Sequence, residues 1–184
     1  MTLFKNNPSS RVMIFIDYRN VHGSIKLIGE DIELDLVRLT HLLTGRRQLM
    51  GAYVFDARKR FTSKDDKVWM LHEKFRDQGF RVVARESFEI FKQEQKEVDV
   101  ALASEMVVHA LKDHYDVAIV VSGDRDFVPA IQHVQSAGKR VEVAAFDNAY
   151  NEECKKVADI YHHLDKMPLL AMRSPSYLDK EGVV

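Results

Sequence analysis

The chain has 184 residues, 46% of them hydrophobic and 30% charged, and 27 Lys and Arg against 28 Asp and Glu leave a net charge of −1. That balance excludes a disordered, collagen-like or membrane-embedded chain, and also a polyanion binder that is basic over its whole surface. The single cysteine, Cys154, excludes an internal disulfide framework and cannot by itself form a thiolate zinc site, so a reducing, cytoplasmic setting is expected.

A chain of this size reads as one domain over 11–165, with loosely packed termini at 1–10 and 166–184. No apolar run approaches the ~18 residues of a membrane span, and the opening MTLFKNNPSSR lacks the apolar core of a signal peptide. Residues 12–16 form a continuous apolar run ending in Asp17, the pattern of a strand buried on both faces. Leu36, Leu39, Leu42 and Leu43 recur at helical spacing, predicting a helix over 34–43 that Gly45 closes. A second strand is expected over 49–55. The next helix, over 65–77, has Val68, Leu71, His72 and Phe75 on one face and Trp69 in the core, and it stops at Gly79. A third strand over 80–84, a helix over 98–111, a fourth strand over 117–121, a helix over 126–137 ended by Gly138, a fifth strand over 141–146 and a helix over 152–162 follow.

Strands alternating with helices predict a doubly wound α/β domain, a mainly parallel five-stranded sheet with helices on both faces. The first and fourth strands are the most apolar and belong in the centre, as in the order 3-2-1-4-5. Such sheets bind ligands at the carboxyl ends of the strands, where the winding reverses. Asp17 ends the first strand, and Ser122-Gly123-Asp124-Arg125-Asp126 follows the fourth, so these groups should meet. Asp99 is expected in the first turn of the helix after strand three, near the same edge. Clustered carboxylates repel, by about 4 kcal/mol at ~4 Å and an effective dielectric near 20. All-oxygen donors favour a hard cation, Mg²⁺ or Mn²⁺, suited to phosphodiester hydrolysis by an activated water.

The phrases FIDYRN, KEVDVAL and VVSGDRDFVPAIQHVQSAGKRVEV resemble the three signatures of NYN domains, the LabA-like branch of the PIN-like nuclease superfamily. The resemblance runs from about Arg11 to Leu164 and implies a metal-dependent nuclease, acting most naturally on single-stranded RNA. By motif match it implies metal ligation by Asp17, Asp99 and Asp124, with Asp126 completing the cluster. Asn20 and Ser122 would line the site, with Gly123 and Arg125 beside the phosphate. Glu105 stands where relatives often carry Asp, but six residues from Asp99 is about 120° around a helix, so it is read as peripheral.

Each feature also has a purely structural reading. Asp124 and Asp126 can cap a helix and complement its dipole. Asp17 is harder to explain in that way, because an acid ending a buried strand has no evident structural duty. Arg58-Lys59-Arg60-Phe61 could be a solvated loop or could hold phosphate and stack a base. Arg19, Lys96 and Arg125 could guide a strand or neutralise the acids. The eight His residues include no pair at metal spacing near the acids; His22 lies by FIDYRN, His109 packs on a helix, and His162 and His163 border the tail. Two alternatives to the nuclease remain. One is a phosphatase or Toprim-like phosphotransfer enzyme, which Asp17-Tyr18-Arg19 fits poorly. The other is a catalytically silent RNA-binding or regulatory module, whose bare sheet edges are compatible with a homodimer.

Overall fold

The computed structural model describes residues 7–29, 32–59, 67–87, 92–168 and 170–172. Its elements are β1 (Arg11–Asp17), α1 (Tyr18–Ile28), β2 (Ile32–Leu34), α2 (Leu36–Thr44), β3 (Gln48–Lys59), α3 (Lys67–Asp77), β4 (Arg81–Ser87), α4 (Lys92–Leu111), β5 (Val117–Val121), α5 (Val128–Ser136), β6 (Arg140–Ala145), α6 (Glu152–Val157), β7 (Ile160–His163) and β8 (Leu170–Met172). The main sheet has the order β4-β3-β1-β5-β6-β7 with every neighbouring pair parallel, which in chain order is 3-2-1-4-5-6. The two most apolar strands, β1 and β5, are central and adjacent, and the winding reverses between them. No helix among the described residues is long and apolar enough to cross a membrane.

Strand alternation divides the core in two. Met13 and Phe15 face α4 and α5, packing with Leu102, Met106, Phe127 and Ile131. Val12, Ile14 and Ile16 face α1, α2 and α3, packing with Val21, Leu39 and Phe75. Asp17 continues the odd-numbered series and so belongs to the α4 side.

The structure corrects several expectations. Residues 18–28, for which no element is expected, form α1; Tyr18, Val21, Ile25 and Ile28 recur there at helical spacing, and Val21, Ser24 and Ile25 are buried. The expected helix over 152–162 ends at Val157 and is followed by a sixth strand, β7. Asp159 makes the break: its Oδ2 accepts from the Val141 amide at 2.7 Å and from Gln135 Nε2 at 3.2 Å, drawing the chain onto the sheet edge. Helix α4 starts at Lys92, so Asp99 lies about two turns inside it rather than in the first turn. Strand β3 runs on to Lys59. Val68 is 38% exposed and Trp69 is half-buried rather than core. Leu170–Met172, within the expected loose tail, pairs antiparallel with β2; 1–6 and 173–184 lie outside the described residues.

The far side of the sheet contains a buried ion network. Glu142 on β6, 1% exposed, accepts from Arg47 Nη1 at 2.5 Å and Nη2 at 3.2 Å, and its Oε2 is 2.8 Å from His162 Nε2. Arg47 also donates to the carbonyls of Thr44 and Leu43, fastening the end of α2 to β6. Burial pushes the Glu142 carboxyl up, but the bonds from His162 and Arg47 hold it below its ordinary range. Removing one partner of such a pair strands a buried charge. Arg47→Met is expected to destabilise by roughly 3–5 kcal/mol in urea unfolding, and Arg47→Met/Glu142→Leu to recover much of the loss.

Candidate functional site

Because Ile16 pairs with Val121, the residues that leave the two central strands emerge side by side. Ser122 Oγ donates to Asp17 Oδ2 at 3.1 Å and accepts from the Asp124 amide at 3.2 Å. Asn20 Oδ1 accepts from the Gly123 amide at 3.3 Å. The FIDYRN and SGDRDF motifs, a hundred residues apart, are thus joined by side chain and backbone together.

Asp17 does have a structural duty, contrary to expectation. It is the N-cap of α1, with Oδ1 accepting from the Asn20 amide at 3.1 Å. Asp124 likewise caps the 3-10 turn Arg125–Phe127, accepting from the Asp126 amide at 2.9 Å. Each cap occupies part of a carboxylate and fixes its orientation. Gly123 is required here for space: a Cβ would lie 1.7 Å from the Ala149 carbonyl oxygen. The short turn Asp147–Ala149 that presses on it is tied to α1 by Asn148 Nδ2 donating to the Ser24 carbonyl at 2.8 Å. Beneath the loop, the buried Cys154 thiol donates to the Asp124 carbonyl at 3.2 Å.

The acids of this edge perturb one another. Asp17 is 6% exposed, and its carboxyl is pushed up to about 6, first by burial, with Asp124 and Asp56 adding to it against the bonds from Asn20 and Ser122. The half-buried Asp99 on α4 is also pushed to about 6, by burial and then by Asp17, Asp124 and Asp126. Among the described residues, no cation is one of the groups that shift either carboxyl. The four acids therefore share one electrostatic field. Among the described residues, however, no three His, Cys, Asp or Glu side chains are gathered closely enough to hold a metal ion. The donor set suits a hard cation in its chemistry, being all oxygen, but among the described residues it is not a closed chelate.

Asp56 went unnoticed in the sequence. It follows Phe55, the β3 partner of Asp17, and points to the opposite sheet face. It is 5% exposed, with Oδ2 at 2.8 Å from His72 Nε2 and Oδ1 accepting from the Ala57 amide at 2.8 Å. A lone acid inside the run AYVFDA, opposite a histidine on an apolar helix face, was the available signal. Of the basic residues, Arg125 and Lys96 are exposed, Lys96 one turn before Asp99. Arg19 on α1 is half-buried, with Nη1 buried and lacking a hydrogen bond. Arg58 sits at the end of β3, on the α1–α3 side by alternation; Lys59 is the last residue of that strand, and Arg60 and Phe61 lie outside the described residues. Glu105 turns to His109, 3.3 Å away, rather than to the aspartates. His22 is exposed and stacks on Tyr18, with ring centroids 5.4 Å apart. His162 and His163 belong to β7 and face Glu142 and Asp147.

The raised Asp17 has a definite pH signature. Its folded value of about 6 lies above the ordinary 3.8, so the folded chain binds more protons between those values, and stability falls as pH rises through that window. Asp17→Asn removes the charge and keeps a capping side chain. With chelator present, the variant is expected to be more stable than wild type at pH 7.5, by on the order of 2–3 kcal/mol, with the difference fading near pH 4. Thermal melts across pH check this, and a pH-independent difference contradicts it. Gly123→Ala is expected to melt well below wild type, because the Ala149 backbone has to move.

Three comparisons bear on this geometry. A family model described as "NYN domain" matches residues 11–165. The structure is similar to the crystal structure of a protein of unknown function from Vibrio parahaemolyticus, with a TM-score of 0.73 and 20% sequence identity over 91% of this chain and 100% of that one. A search of the curated proteins finds no significant match. That neighbour supports the fold alone, whereas the family model spans all three motifs and the sheet that brings them together, and on that ground the chain belongs to the NYN domain family, within the PIN-like nuclease superfamily.

Proposed function

We propose that the protein is a metal-dependent ribonuclease that hydrolyses phosphodiester bonds of single-stranded RNA, of the LabA-like branch of its family. The observation that carries this reading is the pair of carboxyls, Asp17 and Asp99, both driven to about 6 at the switch point of the sheet, each raised in part by neighbouring aspartates. Asp17, Asp99, Asp124 and Asp126 would hold Mg²⁺ or Mn²⁺. Such an ion, when bound, supplies positive charge against the phosphate and lowers the pKa of water.

The remaining groups prepare the site. Ser122 and the Asn20 amide hold the two oxygens of Asp17 at fixed angles, so little reorganisation is needed when a ligand arrives. Asn20 restrains the Gly123 amide, and the absence of a side chain at Gly123 keeps the turn close to the sheet edge. Arg19, Arg58, Lys59, Arg60, Lys96 and Arg125 would draw in and align the strand through its phosphates. A protein nucleophile is disfavoured: the Cys154 thiol is buried and pushed to about 11, far from a reactive thiolate. RNA as substrate rests on the family.

The open spacing of the acids favours a second reading, an RNA-binding module without turnover. Cleavage of a labelled single-stranded RNA in Mg²⁺ or Mn²⁺ separates the two. Asp124→Asn retains a capping side chain. It is expected to lower cleavage at least about 100-fold, since even outer-shell partners of a metal are commonly worth 10–100-fold. Equal cleavage by both proteins refutes the assignment, and RNA binding without cleavage by wild type supports the module. A small phosphoester assayed in parallel tests the phosphatase alternative.

A further inference from the structure

Edge strand β4 and helix α4 leave an open groove of about 440 Å³ beside the acidic edge. Arg85 lines it from the strand, and Lys96, Glu97, Val100, Ala101 and Glu105 line it from the helix. Arg85 pairs with Ala57, which packs in the α4-side core, so Arg85 projects on the same sheet face as Asp17. Asp17 pairs with Phe55 and Phe55 with Val83, placing Arg85 two strands across and two residues further along. With strands ~4.8 Å apart and a rise of ~3.3 Å per residue, Arg85 lies roughly 12 Å from Asp17 along the sheet. Lys96, three residues before Asp99 and about 60° from it around α4, is the groove residue that stands nearest the acidic edge.

The lining has three characters. Arg85 and Lys96 are exposed, and neither has an ion pair or hydrogen bond among the described residues. Val100 is 64% exposed although apolar, and Ala101 beside it is 7% exposed. Glu97 and Glu105 add carboxylate acceptors. A free anion would suit two cations but not two carboxylates, and a purely apolar ligand would suit neither. A nucleotide carries an anion, a flat apolar face and N–H donors in one unit.

We propose that the β4–α4 groove binds one nucleotide of a single-stranded nucleic acid next to the phosphate at the aspartates. Arg85 and Lys96 take its phosphate, Val100 and Ala101 meet the face of the base, and Glu97 and Glu105 accept from its amino groups. The proposal rests on the reading of the acidic edge as the place of phosphodiester chemistry and extends it to substrate binding, with Arg85 as a contact of its own.

The test uses the full chain and fluorescein-labelled single-stranded RNA, with anisotropy titrated across salt concentration in chelator and cleavage followed separately in Mg²⁺. Each phosphate contact contributes about 0.7 to the slope of log affinity against log salt for single strands. Arg85→Gln/Lys96→Gln, which removes both cations from that one phosphate, is expected to flatten that slope by about 0.7 and to weaken binding, with Val100→Asp weakening it as well. Lys156→Gln, on α6, leaves both unchanged. A nucleoside monophosphate, but not inorganic phosphate at equal concentration, competes for the wild-type protein and not for the double variant. An unchanged slope in the double variant, or no RNA binding by wild type, overturns the groove; if wild type still cleaves, the nuclease reading stands without it. Arg85-dependent binding with no cleavage supports the groove and removes the nuclease reading.

Discussion

The site depends on the contact between Asp17 and Ser122. Asp17 ends β1, Ser122 follows β5, and the 3.1 Å bond between them holds the ends of two strands that the sequence separates by 105 positions. That contact exists because β1 and β5 are the most apolar strands and so take the centre, covered by helices on both faces. Burial of the strands then brings burial of the carboxylate at the end of one. Desolvation, the largest influence on Asp17, follows directly from its position on a central strand.

Capping and ligand binding are not rival accounts of Asp17 and Asp124. An N-cap needs one oxygen lone pair and points the carboxylate along the helix start, where several backbone N–H groups already converge. Helix α1 and the turn after Asp124 start at the same edge, so two caps necessarily bring two carboxylates together there. The caps alone cannot account for Asp99, which lies two turns inside α4, caps nothing, and is raised by the very acids that do. Its approach to them is the part of the arrangement with no structural need.

Much of the frame was legible because it rests on local, periodic signals. The continuous apolar runs of β1 and β5 marked central strands, and the acids following them located the functional edge. What escaped depends on contacts between distant residues. Helix α1 carries the stripe Tyr18, Val21, Ile25 and Ile28, but its start directly against the end of β1 is set by the Asp17 cap and the Asn20–Gly123 bond. Strand β7 exists because Asp159 bonds to the start of β6, a partner 18 positions away. Asp56 and His72 could not be paired before β3 and α3 were laid against each other. The early start of α4, which shifted the depth of Asp99, has no apolar pattern to announce it.

The division of roles between the two sheet faces rests on one irregularity. Between Val12 and Met13 the pairing of β1 with β3 jumps from Leu49 to Gly51, leaving Met50 as an extra residue, 47% exposed. A shift of one residue inverts the parity of every later side chain on the strand. With the bulge, Tyr53, Phe55 and Ala57 face α4, and β4 in register with them places Arg85 on that face too. Asp56 then falls on the other face, where His72 meets it away from the open edge. Were the same residues paired without the shift, Asp17 would lie beside Val54, and the continuation of β3 would present Asp56 to α4 as a further acid. The bulge thus turns the Asp56 side chain to the opposite face, where it still adds to the rise of Asp17, and sets Arg85 on the face of the acids, the charge pattern that a polyanion approaching a cluster of acids requires.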